Sequence, residues 1–288
     1  MQLTLPAVPF DLNPERSARR RPVGPLQIAF RFTLFAASPV LHISARWTNR
    51  HREHRLTVQF PTMFKTAATQ SGSTWDVVEH TAPFLQASCR DFVTAASAGK
   101  RVTILSRSMH SYDAHLDGGY LVLSKTLLKA NGFVNKGLIP HWAAPEGNCL
   151  REIVQEYAFV PGQESDSPEM LAHLANEFVH PPLVEHSLWN THWRGQADLP
   201  ATASFLEFPP QFELAAIKRC EDRNGLIVRL VNWSDRPATG DVVLSPHLNA
   251  KSAWLTNLRE QRSAALAVKD HRLQLKARPR QILSLEIH

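Results

Sequence analysis

RVTILSRSMHSYDAHLDGGYLVLSKTLLKANGFVNKGLIPHWAAPEGNCLREIVQEYAFV, residues 101–160, decides the fold class. Three apolar runs stand out: Val102-Thr103-Ile104-Leu105, Tyr120-Leu121-Val122-Leu123 continuing into Leu127-Leu128, and residues 153–160. They are separated by Asp117-Gly118-Gly119 and by a long loop rich in Gly, Pro and Asn, which is the punctuation of β-strands. Asp-Gly between β-rich runs predicts a hairpin, because glycine supplies the positive φ that such turns need. The centre of the chain therefore reads as antiparallel sheet with one long loop.

The same signal extends outward. Residues 26–32, 41–47 and 56–60 alternate apolar and polar side chains with period two, so each offers one face to a core. They read as an antiparallel meander, with the polar segment 48–55 as a turn. Residues 61–100 hold less pattern; loops and short strands are expected there, around Trp75-Asp76-Val77-Val78 and Phe92-Val93. One helix is legible. Asp166 or Ser167 caps it, Pro168 suits its first turn, and Met170, Leu171, Leu174 and Phe178 recur at helical spacing before Pro181-Pro182 ends it. Beyond it, short strands at 204–208, 212–218, 226–232, 241–244, 251–258, 266–268, 272–276 and 281–287 indicate a second sandwich, with Asp222-Arg223-Asn224-Gly225 as a hairpin turn. The expected fold class is all-β: two sandwich-like antiparallel units, a large one and a smaller C-terminal one, with one short connecting helix. The expected divisions are an N-terminal arm at 1–24, a large β unit at 25–163, a helix and linker at 164–200, and a C-terminal β unit at 201–288.

Composition narrows the function classes. A chain of 288 residues with 43% hydrophobic and 20% charged side chains is ordinarily globular. Its formal charge of +6 is scattered, apart from Arg16, Arg19, Arg20 and Arg21, and no recognition motif accompanies it, so no nucleic-acid partner is expected. Cys89, Cys149 and Cys220 are far apart and form no CxxC pair, which fits a reducing cytoplasm rather than a disulfide framework. Neither a signal-peptide core nor a membrane span is visible, and no membrane partner is expected.

Chemistry-bearing patterns are weak. His51 and His54 are three residues apart on a turn or strand entry, unlike the i, i+4 histidines of a helical zinc motif, and read as packing side chains. In an extended segment Asp113 and His115 share a face but His110 does not, so these three do not chelate from one face. Asp113, Asp117, Glu146, Glu152 and Glu156 surround the central hairpins, and a retaining glycosidase needs two carboxylates about 5–5.5 Å apart, but no spacing here identifies such a pair. Neither a GxSxG elbow nor a phosphate loop is present. The loop 131–148 is the strongest candidate site: it combines Lys136, His141, Trp142, Glu146 and Asn148, an aromatic face beside hydrogen-bonding groups of the kind a sugar ring requires.

Several motifs, taken in order, carry a family resemblance. They are Asn49 with His54-Arg55-Leu56 and Phe60-Pro61-Thr62; Ser111-Tyr112-Asp113 before the hairpin; Thr126-Leu127-Leu128-Lys129 in the Leu-rich strand; the segment 149–157; LANEFVHPPL at 174–183; and Ser204-Phe205-Leu206, Ala215, Ile217-Lys218 and residues 222–232. Together they resemble the C-terminal β region of glycoside hydrolase family 38, the α-mannosidases, in its mannosylglycerate-hydrolase-like branch, over residues 25–288. The resemblance implies that the nucleophilic aspartate and the zinc ligands belong to an N-terminal catalytic domain upstream of these motifs. It implies no catalytic residue, metal site or cofactor in this chain, with zinc expected in the intact family enzyme. It also places loop 131–148 at the mouth of the active site, with Lys136 where many relatives carry Arg. Three readings follow. The chain is the scaffold and substrate-side portion of an α-mannosidase-type hydrolase, inactive alone and partnered by a catalytic domain or a complementing chain; or a stand-alone carbohydrate-binding β-module that takes a mannose-containing sugar; or a structural interaction protein. The first predicts a docking surface, for which Trp47, Trp142, Trp189 and Trp193 are candidates.

Overall fold

A computed structural model of the chain describes residues 1–5, 25–108, 110–134, 142–184 and 202–288. The described residues form two compact units. The first holds residues 1–166 with 175–179, and the second holds 167–174 with 180–288.

In the first unit the strands are β1 (Gln2–Leu5), β2 (Leu26–Leu34), β3 (Leu41–Thr48), β4 (His54–Pro61), β5 (Ala68–Gly72), β6 (Val77–Thr81), β7 (Phe84–Ser88), β8 (Phe92–Ser97), β9 (Lys100–Ser106), β10 (Ser111–Asp117), β11 (Tyr120–Ala130), β12 (Phe133–Val134), β13 (Trp142–Ala143) and β14 (Glu152–Gln163). Eight of them make one sheet in the order β1-β2-β3-β14-β9-β8-β5-β6, and four make a second in the order β4-β11-β10-β7. All pairings are antiparallel. The core lies between the two sheets, as period-two alternation demands. One cluster joins Leu26, Ile28, Ile43, Ala45, Trp47, Ile153 and Tyr157 of the larger sheet to Leu127, Leu128 and Ala130 of the smaller. A second cluster joins Val93, Ala95 and Ile104 to Tyr112, Ala114, Leu121 and Leu123.

The Asp-Gly-Gly hairpin forms as expected. Asp117 pairs with Tyr120, and Gly118 and Gly119 take φ values of +55° and +83° between them, the left-handed pair of a tight two-residue turn. The three-strand meander is corrected. β2 and β3 do pair, but β4 leaves for the smaller sheet and pairs with β11. The cause is a buried corner at Asn49. Its Nδ2 donates to the carbonyls of His51 (3.1 Å) and Asn148 (2.8 Å), and its Oδ1 accepts from the His51 N–H (3.2 Å), so the chain turns out of one sheet before the next strand begins. Trp47 is likewise corrected: at 3% exposure it is core, not docking surface. Residues 61–100 form the expected short strands joined by loops, β5 to β8.

The helix α1 (Pro168–Val179) is capped by Ser167, whose Oγ accepts from the Met170 N–H (3.3 Å). Asp166 instead accepts from the Gln163 N–H (2.8 Å). The buried stripe is Leu171, Ala172, Ala175 and Phe178, whereas Met170 is exposed.

The second unit contains β15 (Leu206–Glu207), β16 (Phe212–Arg219), β17 (Leu226–Asn232), β18 (Ala238–Leu244), β19 (Ala253–Thr256), β20 (Arg262–Leu266), β21 (Arg272–Ala277) and β22 (Ile282–Ile287). They form sheets of order β15-β18-β21 and β16-β17-β22-β19-β20 around a core that includes Phe212, Leu230, Val242, Leu273 and Leu285. β16 and β17 form the expected hairpin, closed between Arg219 and Leu226 by a six-residue loop. β20 lies at 262–266, not at 266–268.

Candidate functional site

The loop 131–148 is held at its shoulders. The Asn131 N–H donates to the Gly147 carbonyl (2.9 Å), and the Ala144 N–H to that of Gly132 (2.7 Å). Glu53, on the corner before β4, accepts from the Gly132 N–H (2.7 Å), while its own N–H donates to Asn148 Oδ1 (3.0 Å). Gly132 and Gly147 are required by this clamp, since a Cβ on Gly147 would stand 2.3 Å from the Asn131 carbonyl oxygen.

The candidate residues distribute unevenly on this frame. Lys136 and His141 lie outside the described residues. Trp142, on β13 opposite Val134, is 57% exposed, and Glu146 is exposed on the 3₁₀ turn Pro145–Asn148. Asn148 is buried: its amide bonds the Glu53 N–H and its carbonyl accepts from Asn49 Nδ2, so it shapes the loop from within. What the described loop presents outward is an indole face and a carboxylate.

A second polar site gathers around Asp113 and His115, which the sequence places on one face of a strand. The outer face of the smaller sheet carries Arg55, Thr57 and Gln59 from β4, Ser124 and Thr126 from β11, and Ser111, Asp113 and His115 from β10. Thr57, Gln59, Asp113, His115 and Ser124, with Phe84 and Leu85, line a hollow of about 360 Å³. Asp113 is its carboxylate, and both oxygens are held. Arg55 Nη1 lies 2.7 Å from Oδ2, while Arg55 Nη2 (2.9 Å) and the Gln86 N–H (2.7 Å) donate to Oδ1. Arg55 also donates to Thr126 Oγ1. A carboxylate so satisfied is a fixed acceptor. The hollow can take a hydroxylated ligand against Leu85, which is 78% exposed. Alternation in Ser111-Tyr112-Asp113-Ala114-His115 was the available signal, since it puts the polar members on one face.

Asp113 and His115 thus share a hollow, and His110 borders a different one. Glu152 and Glu156 share the exposed face of β14, paired with Arg46 (3.4 Å) and Arg107 respectively. His51 and His54 stack edge to face at 6.1 Å. Among the described residues no three His, Cys, Asp or Glu side chains converge as metal ligands, and Asp113 is committed to Arg55. The described donor set does not fit a zinc site.

Residues 211–285 match the family model described as the Glycosyl hydrolases family 38 C-terminal beta sandwich domain. That stretch coincides with the sheets β16 to β22 of the second unit. The fold likeness is wider than this match. An alpha-mannosidase from Enterococcus faecalis V583 matches with a TM-score of 0.79 and 21% identity, over 100% of this chain and 33% of that one. A protein in glycosyl hydrolase family 38 from Enterococcus faecalis matches with a TM-score of 0.78 and 21% identity, over 100% of this chain and 34% of that one. The chain therefore spans about a third of the length of the solved structures it matches. No curated protein matches it. No helix among the described residues is long and apolar enough to cross a membrane.

Proposed function

We propose that the chain is the C-terminal β portion of an α-mannosidase-type glycoside hydrolase, serving as scaffold and as one wall of a sugar site. The reading is carried by the family 38 sandwich joined to a fold that follows an alpha-mannosidase over the full length of this chain. On this reading the hydrolytic carboxylates and the zinc belong to a catalytic domain outside residues 1–288, whether on the same polypeptide or on a partner, and the chain alone is inactive. Trp142 and Glu146 then face the substrate from the clamped loop. Cys89, Cys149 and Cys220 form no disulfide, which favours a reducing, cytoplasmic setting.

The test is hydrolysis of an aryl α-mannoside by the purified chain with zinc, beside a mock purification. No turnover above the mock is expected. Turnover that persists through repurification would overturn the scaffold reading. The exposed indole of Trp142 favours a second reading, a carbohydrate-binding module. It predicts that mannose quenches or shifts tryptophan fluorescence in the chain alone and that Trp142→Ala abolishes the change.

A further inference from the structure

Lys125 occupies a position that strand alternation reserves for the core. It shares parity on β11 with Leu121, Leu123 and Leu127, all buried, and is itself fully buried. Its ammonium end meets sulfur: Nζ lies 2.6 Å from Sγ of Cys89, which is 4% exposed between β7 and β8. An ordinary N–H···O bond spans about 2.9 Å, and sulfur is the larger acceptor, so this pair is unusually close. The spacing suits two single bonds meeting at one shared atom. Burial pushes the Cys89 thiol up and the Lys125 amine down, and the attraction between the two groups works against both shifts. Asp91, also buried, is engaged by Arg90 at 3.4 Å. A hollow of about 430 Å³ reaches Cys89 past Gly72, Ser88, Arg90 and His110, wide enough to admit a small oxidant.

We propose that Cys89 and Lys125 are an oxidation site that closes into an S–O–N bridge, tying β11 of the smaller sheet to the segment leading into β8 of the larger. With hydrogen peroxide as oxidant the steps balance. The thiol takes one oxygen from the first peroxide, becoming a sulfenic acid and releasing one water. A second peroxide removes the sulfenic hydrogen and one amine hydrogen as the N–O bond forms, and is itself reduced to two waters. Sulfur and nitrogen each lose two electrons, and the two peroxides take up four. Two dithiols reverse the bridge: each gives two electrons and two protons and becomes a disulfide, and the thiol, the amine and one water are released. The inference is independent of the mannosidase reading.

The intact chain is treated with hydrogen peroxide and examined by mass spectrometry with peptide mapping. The expected result is a gain of about 14 Da, one oxygen added and two hydrogens lost, on a linked pair of peptides containing Cys89 and Lys125, reversed by dithiothreitol. Cys89→Ser and Lys125→Met each abolish it, while Cys149→Ser and Cys220→Ser leave it intact. Should Lys125→Met fail to fold, Cys89→Ser and the wild-type peptide map decide. A gain of about 16 or 32 Da on Cys89 with Lys125 unlinked, or no gain at all, overturns the proposal. The bridged chain is also expected to melt several degrees higher, because a cross-link between layers restricts the unfolded state. An unchanged Tm in a fully bridged sample overturns the role as a latch.

Discussion

Asp113 and Glu286 show how single carboxylates hold each unit. Asp113 accepts from both terminal nitrogens of Arg55 and from the Gln86 N–H, a charge-assisted set in a partly buried place. Asp113→Asn keeps the shape but removes the charge opposite a guanidinium that burial has largely desolvated. A loss of about 2–3 kcal/mol is expected in urea unfolding, and a loss under about 0.5 kcal/mol, the usual range for a surface substitution, would contradict the account. Glu286 is fully buried beneath Arg223, Arg262 and His288. Its carboxyl is held well below the usual range, first by hydrogen bonds from Arg223 and then by those from Arg262 and His288. A pKa depressed on folding gives stability that is present above the unfolded value of about 4.3 and is lost as pH falls beneath it. Melting curves from about pH 6 down to pH 3 should show a steep acid limb, shallower in Glu286→Gln. Glu260, also depressed by its hydrogen bond from Lys218, keeps the limb from vanishing. An unchanged slope in the variant would remove Glu286 as a cause.

At the scale of elements, what was legible is what local chemistry sets. The hairpin at Gly118-Gly119 needs two left-handed residues, and the sequence supplies two glycines there. The helix was legible from its stripe and its cap, and the cap is testable. Ser167→Ala removes the acceptor for the Met170 N–H, and a cost of about 1 kcal/mol is expected by thermal unfolding. Asp166→Ala should cost the helix nothing. β4 was legible as a strand but not as a neighbour, since alternation identifies a strand's two faces and not the strands beside it. The decision lay in Asn49, whose side chain reaches carbonyls about a hundred residues away, at Asn148 and Cys149. β20 was misplaced because Arg262-Ser263-Ala264-Ala265-Leu266 is almost wholly exposed at a sheet edge, paired to β19 alone, and so carries no hydrophobic signature. The candidate loop was half legible. Trp142 and Glu146 do face outward, while Asn148 turned inward because the Asn49–Glu53 corner claims it. The polar hollow at Asp113 was not legible because its members come from four strands that only the register brings side by side.

For the molecule as a whole, the fold class followed from composition and period, but the sheet order did not. β14 lies between β3 and β9, a placement made by pairings across more than fifty to one hundred residues that no local pattern announces. The division into two units is better founded in packing. The second unit closes its core from its own strands: Phe212, Val228 and Leu230 of one sheet meet Val242, Leu244, Leu273 and Leu275 of the other. Its polar interior is likewise internal, with Asn232 Nδ2 donating to the carbonyls of Arg236 (2.8 Å) and Arg278 (2.9 Å). A unit with its own core meets the condition for independent folding. A fragment of residues 164–288 should therefore unfold in one cooperative thermal transition and show a near-ultraviolet signal from Trp233, which is 2% exposed. The last turn of α1 should fray in that fragment, because residues 175–179 group with the first unit, and helical signal should fall slightly without loss of the β transition. A gradual, non-cooperative melt with strong dye binding would mean that the core at Phe212 and Leu285 does not hold by itself, and that the second unit draws its stability from outside its own sheets.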